Sequence, residues 1–147
     1  MKIKSIILAG VLLLTLLGVS AISADTIVMD NYTFEMPDGY VLIENDTQLV
    51  MYNDQYIINL YQGLIINTTI AKQKRINNGF TFVGEKDYDF NGIKINQQNY
   101  KIDGYNDCIY TFKKNNKNFI VSIMVNENDP IPEYENNPVT GIINSLK

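Results

Sequence analysis

The stretch "DYDFNGIKINQQ", residues 87–98, opens as D-x-D-x-N-G, with oxygen ligands at alternate positions and a glycine sixth, as calcium-binding loops do. A loop of that kind joins two helices, whereas a hairpin turn joins two strands, so its reading decides the fold. Carried through twelve positions, the calcium template fails. The eighth position, usually apolar, is Lys94, whose ammonium repels the ion, and the twelfth, where a bidentate glutamate belongs, is Gln98. The flanks "FTFVGEKDYDF" (80–90) and "GIKINQQNYKI" (92–102) alternate with period two. Asn-Gly between two such runs is a strong short hairpin signal. Asn91-Gly92 is therefore read as a turn, and no metal ligands are assigned.

Similar runs continue in both directions. Upstream, "TIVM" (26–29) and "YTFEM" (32–36) flank Asp30-Asn31 and predict an opening hairpin, and "YVLIE" (40–44) predicts the next strand. "QLVMY" (48–52) and "QYIINLY" (55–61) flank Asn53-Asp54, a pair that tolerates the left-handed backbone of a tight turn. Downstream, "DCIYTFK" (107–113) and "NFIVSIMV" (118–125) lie on either side of "KNNKN" (114–118). In the last run Phe119, Val121, Ile123 and Val125 share one side, and Ile120, Ser122 and Met124 the other, which predicts a central strand covered on both faces.

Two helices are expected. "INTTIAKQKRINNG" (66–79) has Asn67 or Thr68 as a cap, bases near its C-terminal end and Gly79 as a stop, although Ile70 and Ile76 do not share a face. In "PVTGIINSLK" (138–147), Asn137 caps, Pro138 takes the first position, and Val139, Ile142, Ile143 and Leu146 form one apolar stripe. The fold class that follows is α+β: an antiparallel sheet of about six to eight strands flanked by an internal and a C-terminal helix. No repeat or second domain is visible, and residues 25–147 are read as a single domain.

Residues 1–24 carry another signal. After Lys2 and Lys4 no charged residue occurs until Asp25, and small residues precede Ala21 and Ala24. This is the pattern of a secretory signal peptide cut after either alanine. Uncleaved, residues 5–24 would be long enough to anchor the chain in a membrane. Both readings place the remainder outside the cytoplasm, secreted or at the cell surface. The single cysteine, Cys108, allows no internal disulfide and is read as a small buried hydrophobe within a strand.

All sixteen acidic residues and all but two of the twelve bases follow Ala24, so the domain carries about −6. An acidic exterior excludes a nucleic-acid binder, which needs a basic surface to displace counterions. With no histidine in the chain, no Ser-His-Asp or Cys-His arrangement exists, and no Gly-rich phosphate loop is present. No catalytic residue and no cofactor are assigned. The pairs Glu133/Glu135, Glu127/Asp129 and Asp87/Asp89 remain as the only basis for a small hydrolase. The loop "NENDPIPEYENN" (126–137) offers oxygens to an extracellular calcium ion, which makes a calcium-dependent surface module the alternative. Asn31, Asn45 and Asn67 stand in glycosylation sequons. Tyr52, Tyr56 and Tyr61, with Tyr100 and Tyr105, are expected as an exposed aromatic face for a protein or glycan.

The residues "YTFEMPDGYVLI", "CIYTFKKNNKNFIVSI" and "PVTGIINSLK" resemble the PsbP/Mog-type α+β fold, and also small secreted proteins of unassigned function from methanogenic archaea. The resemblance implies an antiparallel sheet flanked by helices, serving as a binding or accessory module. It implies no catalytic residues, and the ion-linked roles of photosystem members do not transfer because no ligands match. An archaeal source is in keeping with the sequons. The expected function is a non-enzymatic, extracytoplasmic domain that binds a protein or glycan at the cell envelope and meets the membrane only through its N-terminal segment.

Overall fold

The computed structural model describes residues 25–44, 48–63 and 67–147; the expected leader, 1–24, and the sequon residue Asn45 lie outside the described residues. The first five strands are β1 (Thr26–Val28), β2 (Thr33–Glu35), β3 (Val41–Glu44), β4 (Leu49–Tyr52) and β5 (Ile57–Gly63). Helix α1 (Thr68–Asn77) follows, then four ten-residue strands: β6 (Thr81–Phe90), β7 (Ile93–Ile102), β8 (Tyr105–Lys114) and β9 (Lys117–Asn126). A short 3-10 turn (Tyr134–Asn136) leads into helix α2 (Pro138–Ser145).

Asn91-Gly92 is a turn. Both residues take left-handed backbone, with φ of 49° and 77°, as a two-residue I′ hairpin requires. The same geometry recurs at Asp103-Gly104 (48°, 83°) and Asn115-Asn116 (49°, 63°). These turns fold β6–β9 into a continuous meander. Asn53-Asp54 differs from its expected form. Neither residue is left-handed; instead Asn53 Oδ1 accepts from the backbone N–H of Gln55 (2.9 Å) and Tyr56 (2.8 Å), closing a wider loop.

The main sheet runs β3-β4-β5-β9-β8-β7-β6, and every neighbouring pair is antiparallel. β9 is the middle strand of the seven and joins β5 on one side to β8 on the other. It is buried from Phe119 to Val125, as alternate apolar residues on both sides dictate. The opening hairpin, β1–β2, stays out of this sheet and forms a two-stranded one of its own.

The register assigns the faces. Leu49, Met51, Ile58, Leu60, Cys108, Tyr110, Phe112, Phe119, Val121 and Ile123 share the first face, and all are buried. α2 covers it with Val139, Ile142, Ile143 and Leu146, joined by Tyr32, Phe34 and Met36 from the hairpin. Asn137 caps α2 as its sequence requires: Oδ1 accepts from Val139 N–H (3.0 Å), and Nδ2 donates to Tyr110 Oη (2.9 Å). At the other end Lys114 Nζ donates to the carbonyls of Ile143 (2.8 Å) and Asn144 (2.7 Å), and Lys147 exchanges two backbone bonds with Thr33. The helix is thus held at both ends and along its stripe.

Because Ile142 is fully buried and Ile70 on α1 is 55% exposed, identical truncations should differ sharply. Ile142→Ala is expected to cost about 3 kcal/mol and Ile70→Ala less than about 0.5 kcal/mol, measured by urea unfolding followed by circular dichroism.

Candidate functional site

The second face of the sheet is built differently. α1 lies across it but buries no residue, and Ile70 and Ile76 remain exposed. Asn67 caps the helix through Oδ1 to Ile70 N–H (3.0 Å), and Gly79 ends it at φ 91°. Polar bonds seat it on the sheet. Gln98, only 2% exposed, is the hub. Its Oε1 accepts from Arg75 Nη1 (3.1 Å) and Tyr100 Oη (2.6 Å), while its Nε2 donates to the Thr68 carbonyl (3.3 Å) and to Glu85 Oε1 (3.0 Å). Glu85 also accepts from Lys72 Nζ (2.6 Å) and Asn96 Nδ2 (2.8 Å). These donors hold its carboxyl down at about 2, with Lys72 the largest contributor.

Next to this network lies a groove of about 440 Å³. Asp87, Asp89, Lys94 and Asn96 line it from the β6–β7 hairpin, with Thr68 from α1 and Thr111 from β8; Tyr88 and Ile95 border it too, but their side chains turn to the first-face core. Asn96 Nδ2 donates to both Glu85 and Asp87 (2.9 Å to Oδ1), and its own carbonyl oxygen is buried with no partner. The two aspartates of the opening motif therefore face a groove beside an ammonium and an amide. Among the described residues no three His, Cys, Asp or Glu side chains gather as a metal site. The acids of the 126–137 loop do not converge either.

Asp107, on β8 between Tyr100 and Met124 of the neighbouring strands, is 4% exposed, and its Oδ1 has no hydrogen-bond partner. Burial pushes its carboxyl up to about 7, against the opposing pull of Arg75. Cys108, beside it but on the first face, is buried as expected, and burial pushes its thiol up to about 12.

The expected aromatic face is not formed. Tyr52 (7% exposed) and Tyr100 are buried on the second face, Tyr61 is half-buried beside Ile120, and Tyr56 packs against the first-face core. Their rings alternate between the two sides because the strands pleat, and neighbours cover them. Asn31 and Asn67 are both exposed, Asn31 in the β1–β2 turn and Asn67 at the cap of α1. From sequence, Gln98 is read only as a failed calcium ligand and Thr68 only as a possible helix cap, and Asp107 and Thr111 carry no assigned role. The available signal was Gln98 and Asp107 standing at inward-facing strand positions where the pattern calls for apolar side chains.

In structure the chain is similar to cyanobacterial PsbP (CyanoP) from Synechocystis sp. PCC 6803, with a TM-score of 0.58, 12% identity, and coverage of 88% of this chain and 95% of that one. A Pseudomonas aeruginosa protein of unknown function aligns over 73% of this chain and 85% of its own, with a TM-score of 0.38 and 9% identity. No family model and no curated protein matches the chain. The first likeness shows a PsbP-like α+β fold.

Asp107 makes stability pH-dependent. In the fold it keeps its proton until about pH 7, whereas its ordinary value is 3.8, so unfolding between these values releases a proton. Stability is expected to fall as pH rises through that window, by about 1.4 kcal/mol per unit at most. Urea midpoints of Asp107→Asn across the same range should be flatter than those of the wild type; parallel curves would contradict the assignment.

Proposed function

We propose that the chain is a non-enzymatic domain that acts outside the cytoplasm and binds a glycan at the cell envelope through the groove beside α1. The observation that carries this is the groove's composition: two carboxylates, an amide, an ammonium and two hydroxyls around one concavity. Carboxylates accept from sugar hydroxyls, while the Lys94 ammonium donates to them, so adjacent hydroxyls can be met in pairs. A volume of about 440 Å³ falls within the roughly 300–1,000 Å³ of small-molecule sites.

Several features support a binding role over a catalytic one. The chain has no histidine, and its one thiol is buried and protonated. Asp87 and Asp89 project side by side from one strand, so neither faces the other across a bound ring as glycosidase carboxylates do. The basic-then-apolar leader and the exposed sequons at Asn31 and Asn67 support an extracytoplasmic setting. Among the described residues, no helix is long and apolar enough to cross a membrane.

Retention on an array of envelope polysaccharides tests this. The purified full-length chain is expected to bind a subset of glycans without releasing reducing sugar. Asp87→Asn combined with Asn96→Ala should weaken that binding about tenfold or more. Equal retention by wild type and variant, or release of sugar, would refute the reading; capture of a protein instead would redirect it to a protein partner.

A further inference from the structure

On the first face, at the same end of the sheet, the 126–137 loop roofs a separate cavity of about 140 Å³. Gln97, Asn99 and Tyr110 form its floor, Lys86 stands at its side, and Ile131 to Tyr134 close it from above. We propose that this cavity binds a small zwitterion of the α-amino-acid class. The groove plays no part in this site, because Lys86 and Gln97 pair on the opposite face of β6–β7 from Asp87 and Asn96.

The charges of the lining come first. Lys86 and Glu133 open on the same small cavity, yet they form no ion pair; the ion pair found among the described residues is Lys72–Glu85. The Lys86 ammonium lies 5.3 Å from the centre of the Tyr88 ring and has no carboxylate partner. A simple anion would meet Glu133, and a simple cation would meet Lys86. A ligand carrying both charges satisfies both, with its carboxylate on Lys86 and its ammonium on Glu133. Asn99 adds a donor: its carbonyl oxygen accepts from Gln97 Nε2 (3.1 Å), and its amide nitrogen is left for the ligand carboxylate.

Size narrows the class. A cavity of about 150 Å³ takes up benzene, so this one holds a ligand of similar bulk, about six heavy atoms. That is an α-amino acid with the smallest side chains, whose methyl would meet Ile131 and Pro132.

The roof is fixed in place, which makes the cavity preformed. Asn106 Nδ2 donates to the carbonyls of Glu127 (3.2 Å) and Asp129 (3.0 Å), and Asn137 Nδ2 to that of Pro132 (3.3 Å). Two prolines, Pro130 and Pro132, restrict the backbone further. Below, Tyr88 Oη donates to Gln97 Oε1 (3.1 Å) and fixes the floor amide. Little ordering remains to be done on binding.

Thermal melting and saturation-transfer NMR of the full-length chain with L-alanine at millimolar concentration test the site. Propionate and ethylamine, which carry one charge each, serve as controls. L-Alanine is expected to raise the melting temperature with concentration and to show saturation transfer, and neither control should do so. Lys86→Met and Glu133→Gln, both at exposed positions, should each weaken alanine binding about tenfold, and Asp87→Asn should leave it unchanged. No shift with alanine or glycine, equal binding of either control, or binding indifferent to Lys86→Met and Glu133→Gln would each overturn the proposal.

Discussion

β9 is where the two halves of the fold meet. Among the described residues, the three main-sheet strands before α1 and the three earlier strands of the meander do not pair with each other; the sheet joins them through β9, by way of β5 and β8. That position demands apolar side chains on both faces, and residues 119–125 supply them except at Ser122, whose hydroxyl accepts from Asn59 Nδ2 (3.2 Å). On the first face Phe119, Val121 and Ile123 meet α2 and the opening hairpin; on the second, Ile120 joins Tyr100 and Ile109. A charge at any of these positions would be stranded without a partner. The chain's last strand therefore joins two groups of strands that precede it in sequence, and α2, next in sequence, covers it.

The two faces are held by different forces. The first is a close-packed apolar layer, with α2 contributing its whole stripe. The second carries a helix that contributes no buried apolar side chain and is seated through Gln98, Glu85, Arg75 and Lys72. Polar seating of that kind is weaker and more responsive to salt and pH than apolar packing. Both candidate binding regions lie toward the meander's outer end, around β6 and β7. A rigid ladder with polar side chains at its margin is a suitable frame for recognition, because the strands position the groups without rearrangement.

Where the cause is local, the sequence is legible. Asn91-Gly92 is a turn because those residues accept positive φ, and α2 follows from one cap, one proline and one stripe. The central place of β9 could be read from its alternation alone. Less local causes were harder to see. Asn53-Asp54 forms a wider, side-chain-closed loop, a choice that depends on where β4 and β5 pair. The tyrosines were expected outside because their hydroxyls tolerate water, but Tyr52 and Tyr100 are covered by neighbours distant in sequence. The groove and the cavity each draw residues from separated segments, as when Thr68 and Thr111 meet Asp87, and no spacing rule brings them together. Gln98 was weighed as a failed calcium ligand and is instead the residue on which α1 rests.

If β9 is the element on which the fold depends, its amides should open only when the whole domain unfolds. Native-state hydrogen exchange measured residue by residue is the direct test. The account predicts that Phe119–Val125, with their partners in β5 and β8, exchange slowest and with the free energy of global unfolding. The edge strands β3 and β6 and helix α1 should exchange earlier, through local openings. Protection in β9 no greater than that of β6 or α1 would contradict it.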